Sequence, residues 1–389
     1  MLVWIQSPFD NLPQEGFRRE RYWLMAEAFI AAGHQVVYFT ANFNHGTKAK
    51  RVWVAKEKEG EGVDLHLISV PPYTKNVSLK RVYSHFVYAK RLEKEALKVA
   101  MVHRPDLVIS ATPTLGAAEV MRCLARRCDA KFVIDIQDAW PETFHRLLPR
   151  GFTWMGRVFF AGMYRTARRL YRMADFSTGV SERYREISAR PDYYLAYHGI
   201  DIRHSMPNGN RQPSDVNKLF YLGNLGAGYD LETVVEAVAL SPELTLDIAG
   251  RGPKEAALKE LVRVRRLESR VRFHGYLQAE AIARLASSCG VGVIPMRDDS
   301  WVALPYKLGD YLAAGLKVVS SLHGECGDLM VREKVGAVYD FGSAKSLLAA
   351  LKELEKLPAA KKNLPDELLA DSIYPKYVAF VTSPARIFH

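Results

Sequence analysis

The stretch KLFYLGNLGAGYDLETVVEAV, Lys218 to Val238, decides the fold. It opens with a short apolar and aromatic run, the pattern of a strand buried on both faces. Gly223, Gly226 and Gly228 follow, and then Leu231, Val234, Val235 and Val238 recur at helical spacing. Strand, glycine turn and amphipathic helix in succession are the opening of a β-α-β unit. The succession continues downstream through LTLDIAG, VRFHGYL, GVGVIPM and LKVVSS, with helical periodicity between them. Upstream it has already run once: LVWIQ (2–6), a helix near 17–32, VVYFT (36–40), LHLISV (65–70), a helix near 79–102, LVISA (107–111) and FVIDI (132–136). Repeated β-α predicts parallel sheets covered by helices, and 389 residues exceed what one core holds.

The expected fold is therefore α/β, with two doubly wound, Rossmann-like domains. HGIDIRHSMPNGNRQPSDVNK (198–218) concentrates residues that break both periodicities and is read as the linker. The expected boundaries are 1–203 for the first domain and 204–373 for the second. The tail at 374–389, within the apolar-aromatic end IYPKYVAFV, is expected to cross back onto the first domain. Ligands of open parallel sheets bind beyond the carboxyl ends of the strands, so the two domains are expected to face each other across a cleft lined by those ends.

Composition narrows the function. The chain carries 54 Lys and Arg against 43 Asp and Glu, a net +11, which favours phosphorylated substrates, anionic lipid or nucleic acid. No nucleic-acid module is visible and the aromatics are spread through expected cores, so no nucleic-acid partner is expected. Cys123, Cys128, Cys289 and Cys326 form no C-x-x-C pair, which excludes a disulfide framework and a structural zinc site and fits a reduced compartment. MLVWIQ lacks a basic leader and no stretch reaches the length of a membrane span, so a cytoplasmic protein is expected. The first strand is followed by QSPFDNLPQEG, not by G-x-G-x-x-G, which argues against a dinucleotide-dependent dehydrogenase.

The turns carry the chemistry. The glycine turn at 223–228 brings backbone N–H groups and a helix N-terminus toward an anion, although it would serve equally as a tight connection. AGRGPKEAA (249–257) repeats the arrangement with Arg251 and Lys254. In ALPYKLGDYLAAGLKVVSS (303–321), Leu304, Leu308, Tyr311, Leu312 and Gly315 share one helical face, with Lys307 and Asp310 on a flank. That flank is either a solvated i, i+3 ion pair or part of a ligand site.

These motifs together, with DIQDAWPETF, HGID and FHGYL, resemble the retaining, two-domain glycosyltransferases of family four with the GT-B architecture. The likeness covers most of the chain and is greatest to members that build bacterial surface polysaccharides. It implies a metal-independent enzyme without a cofactor that moves a sugar from a nucleotide donor, expected to be UDP-linked, to a saccharide or lipid-linked acceptor. It also implies that Asp310 holds the ribose, that Tyr276 and Leu277 lie by the base, and that Gly223, Asn224, Leu225 and Gly226 lie by the diphosphate. Leu304 and Pro305 belong to the same donor segment, and Gly16 resembles the family's glycine loop near the phosphates. The chain departs from the pattern at Val302, where an acid is usual, and at Asn224 and Tyr229, where Arg and Lys are usual. Arg251, Lys307, and Arg18 or Arg19 are then the candidates to neutralise the diphosphate, with Lys307 first. Two other readings stay open: a GT-B-like nucleotide-sugar 2-epimerase, and a non-catalytic scaffold that binds nucleotide or glycan.

On the acceptor side Asp138 ends the strand FVIDIQD and is the candidate to orient or deprotonate an acceptor hydroxyl, or else caps the next helix. Between Thr143 and Ala174 there are seven arginines and no acid. Read as one helix from Arg157, the residues Arg157, Arg165, Arg168, Arg169 and Arg172 lie opposite Phe159, Phe160, Met163 and Leu170. Such a helix packs its apolar face on the domain and can present arginines to anionic headgroups, which suits a peripheral position on the inner face of the membrane and a polyprenyl-diphosphate-linked acceptor.

Overall fold

The apolar runs at 2–6, 107–111 and 131–136 become central strands that are almost wholly buried, as both-face burial in a parallel sheet requires. The computed structural model describes residues 1–51, 62–76, 78–147, 153–201, 215–358 and 364–383. Residues 202–214 of the expected linker and 384–389 of the expected tail lie outside these. The chain divides into two units, Met1–Gly199 with Ala370–His389, and Ile200–Leu369.

The strands of the first unit are β1 (Leu2–Gln6), β2 (Gln35–Ala41), the hairpin β3 (Phe43–Asn44) and β4 (Ala49–Lys50), β5 (Val63–Ile68), β6 (Leu107–Ala111), β7 (Lys131–Ile136), β8 (Phe176–Gly179) and β9 (Tyr194–Leu195). Hairpin apart, they form one parallel sheet in the order β5-β2-β1-β6-β7-β8-β9. Its helices are α1 (Arg21–Ala31), α2 (Leu79–Val102), α3 (Leu115–Cys128), α4 (Thr153–Phe159), α5 (Ala161–Met173) and α6 (Arg183–Ser188). The helix expected from 17 starts at Arg21, because Glu20 is extended and the buried Asp10 takes the Tyr22 backbone N–H at 3.0 Å. The single basic helix expected from Arg157 is two helices, because Phe160 leaves helical geometry between α4 and α5.

The second unit has β10 (Lys218–Leu222), β11 (Thr245–Ala249), β12 (Val271–Gly275), β13 (Val291–Ile294), β14 (Lys317–Ser320) and β15 (Gly336–Val338), in the order β12-β11-β10-β13-β14-β15. Its helices are α7 (Leu231–Leu240), α8 (Glu255–Val264), α9 (Ala279–Ser287), α10 (Tyr306–Ala313), α11 (Glu325–Arg332) and α12 (Ala344–Lys356). The order reverses between β10 and β13, so the turns that leave these two strands flank the topological switch point where such sheets bind ligands. α13 (Ala370–Thr382) belongs to the first unit, where Ile373, Tyr374, Tyr377, Val378 and Val381 join the core cluster that contains Trp23 and Phe29 of α1.

A buried ion pair ties the first unit together. Arg21 Nε and Nη2 donate to the two carboxylate oxygens of Asp135 at 2.9 and 2.8 Å, and Arg21 Nη1 donates to the carbonyls of Ala196 and Tyr197 at 2.7 and 2.9 Å. Tyr22 and Thr178 hydroxyls each donate to the same carboxylate at 2.6 Å. Burial opposes the charge on Asp135, but Arg21 and these hydroxyls outweigh it and hold the carboxyl below its usual range. One network therefore joins α1, β7, β8 and the segment that leaves β9. Removing one member strands the other charge, so Asp135→Ala is expected to cost about 3–5 kcal/mol, read as a lower urea midpoint of the first unit. An unchanged midpoint would contradict this role.

Candidate functional site

At the switch point of the second unit the chain brings a lysine onto a glycine. Pro305 is the N-cap of α10, with φ of −71°, which fixes the start of the helix beyond β13 and places Lys307 in its first turn. Lys307 Nζ donates to Tyr221 Oη at 2.9 Å and lies 4.1 and 3.7 Å from the ring centroids of Tyr221 and Tyr229. Tyr221 in turn donates to the backbone carbonyl of Asn224 at 2.7 Å. Gly223 has φ of 140°, and a Cβ there would lie 2.6 Å from Lys307 Cε. Only glycine admits this lysine. Burial lowers Lys307 to about 7, and the Asp310 carboxylate works against the shift.

The other donor candidates converge on the same strand ends. Gly223 N–H donates to the Ala249 carbonyl at 2.9 Å, Leu225 N–H to the Arg251 carbonyl at 3.0 Å, and Gly250 N–H to the Gly275 carbonyl at 2.7 Å. The turns after β10, β11 and β12 are thus laced side by side. Leu225 and Gly226 are buried within the first turn, while Asn224, Arg251 and Tyr276 are exposed and Leu277 is half-buried. Leu304 is buried ahead of α10, and Asp310 is half-buried on it. Lys254, in the turn after β11, is held by Glu232 at 2.7 Å. Gly309 of α10 faces Ile200, whose Cδ1 would lie 1.9 Å from a Cβ. Val302, at the position of the family's usual acid, is 43% exposed.

In the first unit Gly16 adopts φ of 75° at the end of a short turn after β1. The carboxylates nearby are engaged: Glu15 pairs with Arg51, and Glu20 accepts from the Asn11 backbone and side chain, both at 2.9 Å. Arg19 pairs with Glu27 on α1 at 2.5 Å, and within the second unit Lys307 is set against the glycine turn. Asp138 Oδ2 accepts from the Trp140 indole at 3.0 Å, and the Asp138 carboxylate faces the Arg81 guanidinium.

Around Asp138 lies a cluster that sequence reasoning missed. Arg81 on α2 sits 5.2 Å from the Trp140 ring centroid and 5.6 Å from that of Phe9. His85, one turn on, stacks on Trp140 at 5.8 Å. His45, in the loop between β3 and β4, meets Tyr73 Oη at 2.6 Å and Lys48 Nζ at 3.3 Å. These residues come from α2 and from the loops after β1, β3, β5 and β7, and the one local signal for them is the i, i+4 spacing of Arg81 and His85. Arg157, Arg165, Arg168, Arg169 and Arg172 are all exposed, and Arg169 pairs with Glu119 of α3 at 3.1 Å. Among the described residues no group of three or more His, Cys, Asp or Glu side chains is placed to hold a metal ion. No helix among them is long and apolar enough to cross a membrane.

Residues 19–193 match the family model of the glycosyl transferase 4-like domain, and residues 203–367 match that of glycosyl transferases group 1. The putative colanic acid biosynthesis glycosyltransferase WcaL of Escherichia coli strain K12 is 25% identical over 167 residues, 40% of this chain and 41% of that protein. The alignment thus spans less than half of that relative's length. Among solved structures, sucrose-phosphate synthase from Thermosynechococcus elongatus superposes with a TM-score of 0.67 at 15% identity, covering 98% of this chain and 96% of that one. Anabaena HepE in complex with UDP and glucose gives 0.64 at 15% identity, covering 98% and 99%. At such identities the structures establish the fold.

The histidines near Asp138 give the first unit a distinctive acid response. Burial, then Arg81 and His45, lower His85 to about 3, and burial, then Lys48 and Arg81, lower His45 to about 4. Both are neutral when folded, whereas the unfolded chain protonates them below about pH 6.5. Their contribution to stability is full above that value and is lost as pH falls toward the folded values. Asp10, pushed up to about 7 by burial and Glu20, has the opposite slope, so the informative quantity is a difference. Between about pH 7 and pH 5 the urea midpoint of wild type is expected to fall more steeply than that of His85→Gln. Equal slopes would contradict the assignment.

Proposed function

We propose that this chain, which belongs to the group 1 glycosyltransferases of GT-B fold, transfers a sugar from a UDP-linked donor to a saccharide or lipid-linked acceptor in surface-polysaccharide or glycoconjugate synthesis. The observation that carries this reading is Lys307, a half-buried ammonium set against Gly223 at the switch point of the second unit's sheet. There the glycine turn and the lysine both favour an anion. The donor diphosphate is assigned to Lys307 and the turn at 223–226, and the ribose hydroxyls to Asp310, which begins the next helical turn after Lys307. Arg251, exposed in the adjoining turn, lies beside Gly275 at the end of β12.

In the reaction the anomeric carbon–phosphate oxygen bond breaks and a bond to the acceptor oxygen forms on the same face. The acceptor proton passes to the departing phosphate, so the enzyme supplies no covalent nucleophile and needs no metal. Lys307 stabilises the charge that grows on the leaving diphosphate, and preorganised charge in a dry site is an effective form of such catalysis. Asp138 orients the acceptor hydroxyl, itself held by the Trp140 indole. The UDP complex of HepE supports the donor class, and the likeness to WcaL supports the pathway class.

A panel of UDP-, GDP- and ADP-sugars scored by thermal shift and by nucleotide release tests this reading. UDP-sugars are expected to stabilise the protein and to release UDP only when an acceptor is supplied. Lys307→Met and Asp310→Ala are each expected to weaken donor binding by about tenfold or more while the fold persists. Stabilisation by no nucleotide sugar, or unchanged affinity in both variants, would overturn it. Release without acceptor would indicate an epimerase instead.

A further inference from the structure

The first two turns of α2 leave an apolar stripe in water. Leu79, Val82, Tyr83 and Phe86 recur at helical spacing, and the least exposed of them is still 59% accessible. The inward side of the same turns carries Arg81, His85 and the buried Ser84, so α2 is already anchored and the stripe is not a core face. A second apolar patch stands at the end of α4. Val158 and Phe159 are 72% and 83% exposed, although the helical wheel puts Phe159 on the packing side.

A run of rings joins the two patches within the first unit. His85 stacks on Trp140, Trp140 meets Phe144 at 4.5 Å, Phe144 meets Phe160 at 5.2 Å, and Phe160 adjoins Phe159 at 5.8 Å. The run therefore ties together the two helices that carry the patches. Each patch lies in a basic stretch of the chain. From Pro71 to Leu92 the sequence contains Lys75, Lys80, Arg81, Lys90 and Arg91 and no acid, and the segment from Thr143 to Ala174 also lacks acids. The α2 stripe and the end of α4 each fall within one of these two acid-free segments.

We propose that this surface docks on an anionic lipid bilayer, with the start of α2 and the end of α4 entering the headgroup region. Apolar side chains in segments rich in lysine and arginine suit that partner, since the first bury in the acyl boundary and the second meet lipid phosphates. A protein partner fits less well, because interfaces between proteins are depleted in lysine. Tyr83 offers a ring with a polar tip, a combination favoured at membrane interfaces. The contact lies on α2 and α4, with Arg165, Arg168 and Arg172 of α5 adding attraction at a distance. This inference does not rest on the nucleotide-sugar reading, and neither patch contains a residue assigned to donor or acceptor.

The test is co-sedimentation of the full chain with phosphatidylcholine vesicles and with vesicles that also contain phosphatidylglycerol. Wild type is expected to bind the second and not the first, and to release as salt is raised. The exposed triple variant Val82→Ser/Tyr83→Ser/Phe86→Ser, checked by circular dichroism and gel filtration, is expected to lose about tenfold or more in partitioning. The variant Arg165→Gln/Arg168→Gln/Arg172→Gln is expected to weaken binding less and to flatten its salt dependence. Equal binding to both vesicles, no binding to either, or an unaffected α2 variant would overturn the proposal. So would a wild-type dimer that the α2 variant dissolves, because the stripe would then be covered by a second copy.

Discussion

An ammonium group held against two tyrosine rings, in space that exists only because residue 223 is glycine, organises the functional end of the second unit. Taking a lysine out of water is costly, and here a hydrogen bond to Tyr221 and two cation–π contacts offset part of that cost. They do not offset all of it, which is why the group titrates near neutrality. An arriving diphosphate supplies the missing counter-charge. The energy of that encounter is available to bind the donor and, as charge builds on the leaving group, to stabilise it further.

The first unit shows the contrasting case. Arg21 and Asp135 are more deeply buried than Lys307, yet each is satisfied: the arginine by a carboxylate and two carbonyls, the carboxylate by the arginine and two hydroxyls. A pair so fully bonded joins elements and has little left to offer a ligand. The distinction separates two aspartates that stand three positions apart on one strand and its exit. Asp135 is structural, and Asp138, bonded to an indole and facing Arg81, is at the surface where chemistry is proposed.

Most strands were legible because buried parallel strands are written as apolar runs, and α2 was legible at both ends, with Ser78 capping the Arg81 amide. What was not legible depended on distant partners. The start of α1 is set by Asp10, a cap outside the local pattern, so its periodicity suggested four residues too many. Lys307 and Asp310 could be singled out by spacing, but the tyrosine that receives the lysine lies 86 positions away. The arginine pattern implies one continuous helix with Phe159 on its packing side, because a helical wheel cannot show that the chain breaks at Phe160. The Arg81 and His85 cluster is not legible locally because it joins α2 to side chains from four separate loops.

The most direct measurement is calorimetry of UDP-sugar binding in buffers of different ionisation enthalpy, at a pH just above neutrality. A nucleotide sugar carries a diphosphate diester that does not titrate there, so protons taken up on binding report the protein. With Lys307 near 7 when free and raised by the diphosphate when bound, wild type takes up protons, and its affinity falls as pH rises through about 7. Lys307→Met abolishes both effects. Binding without proton uptake, or uptake that persists in Lys307→Met, would contradict the assignment of this lysine to the donor diphosphate.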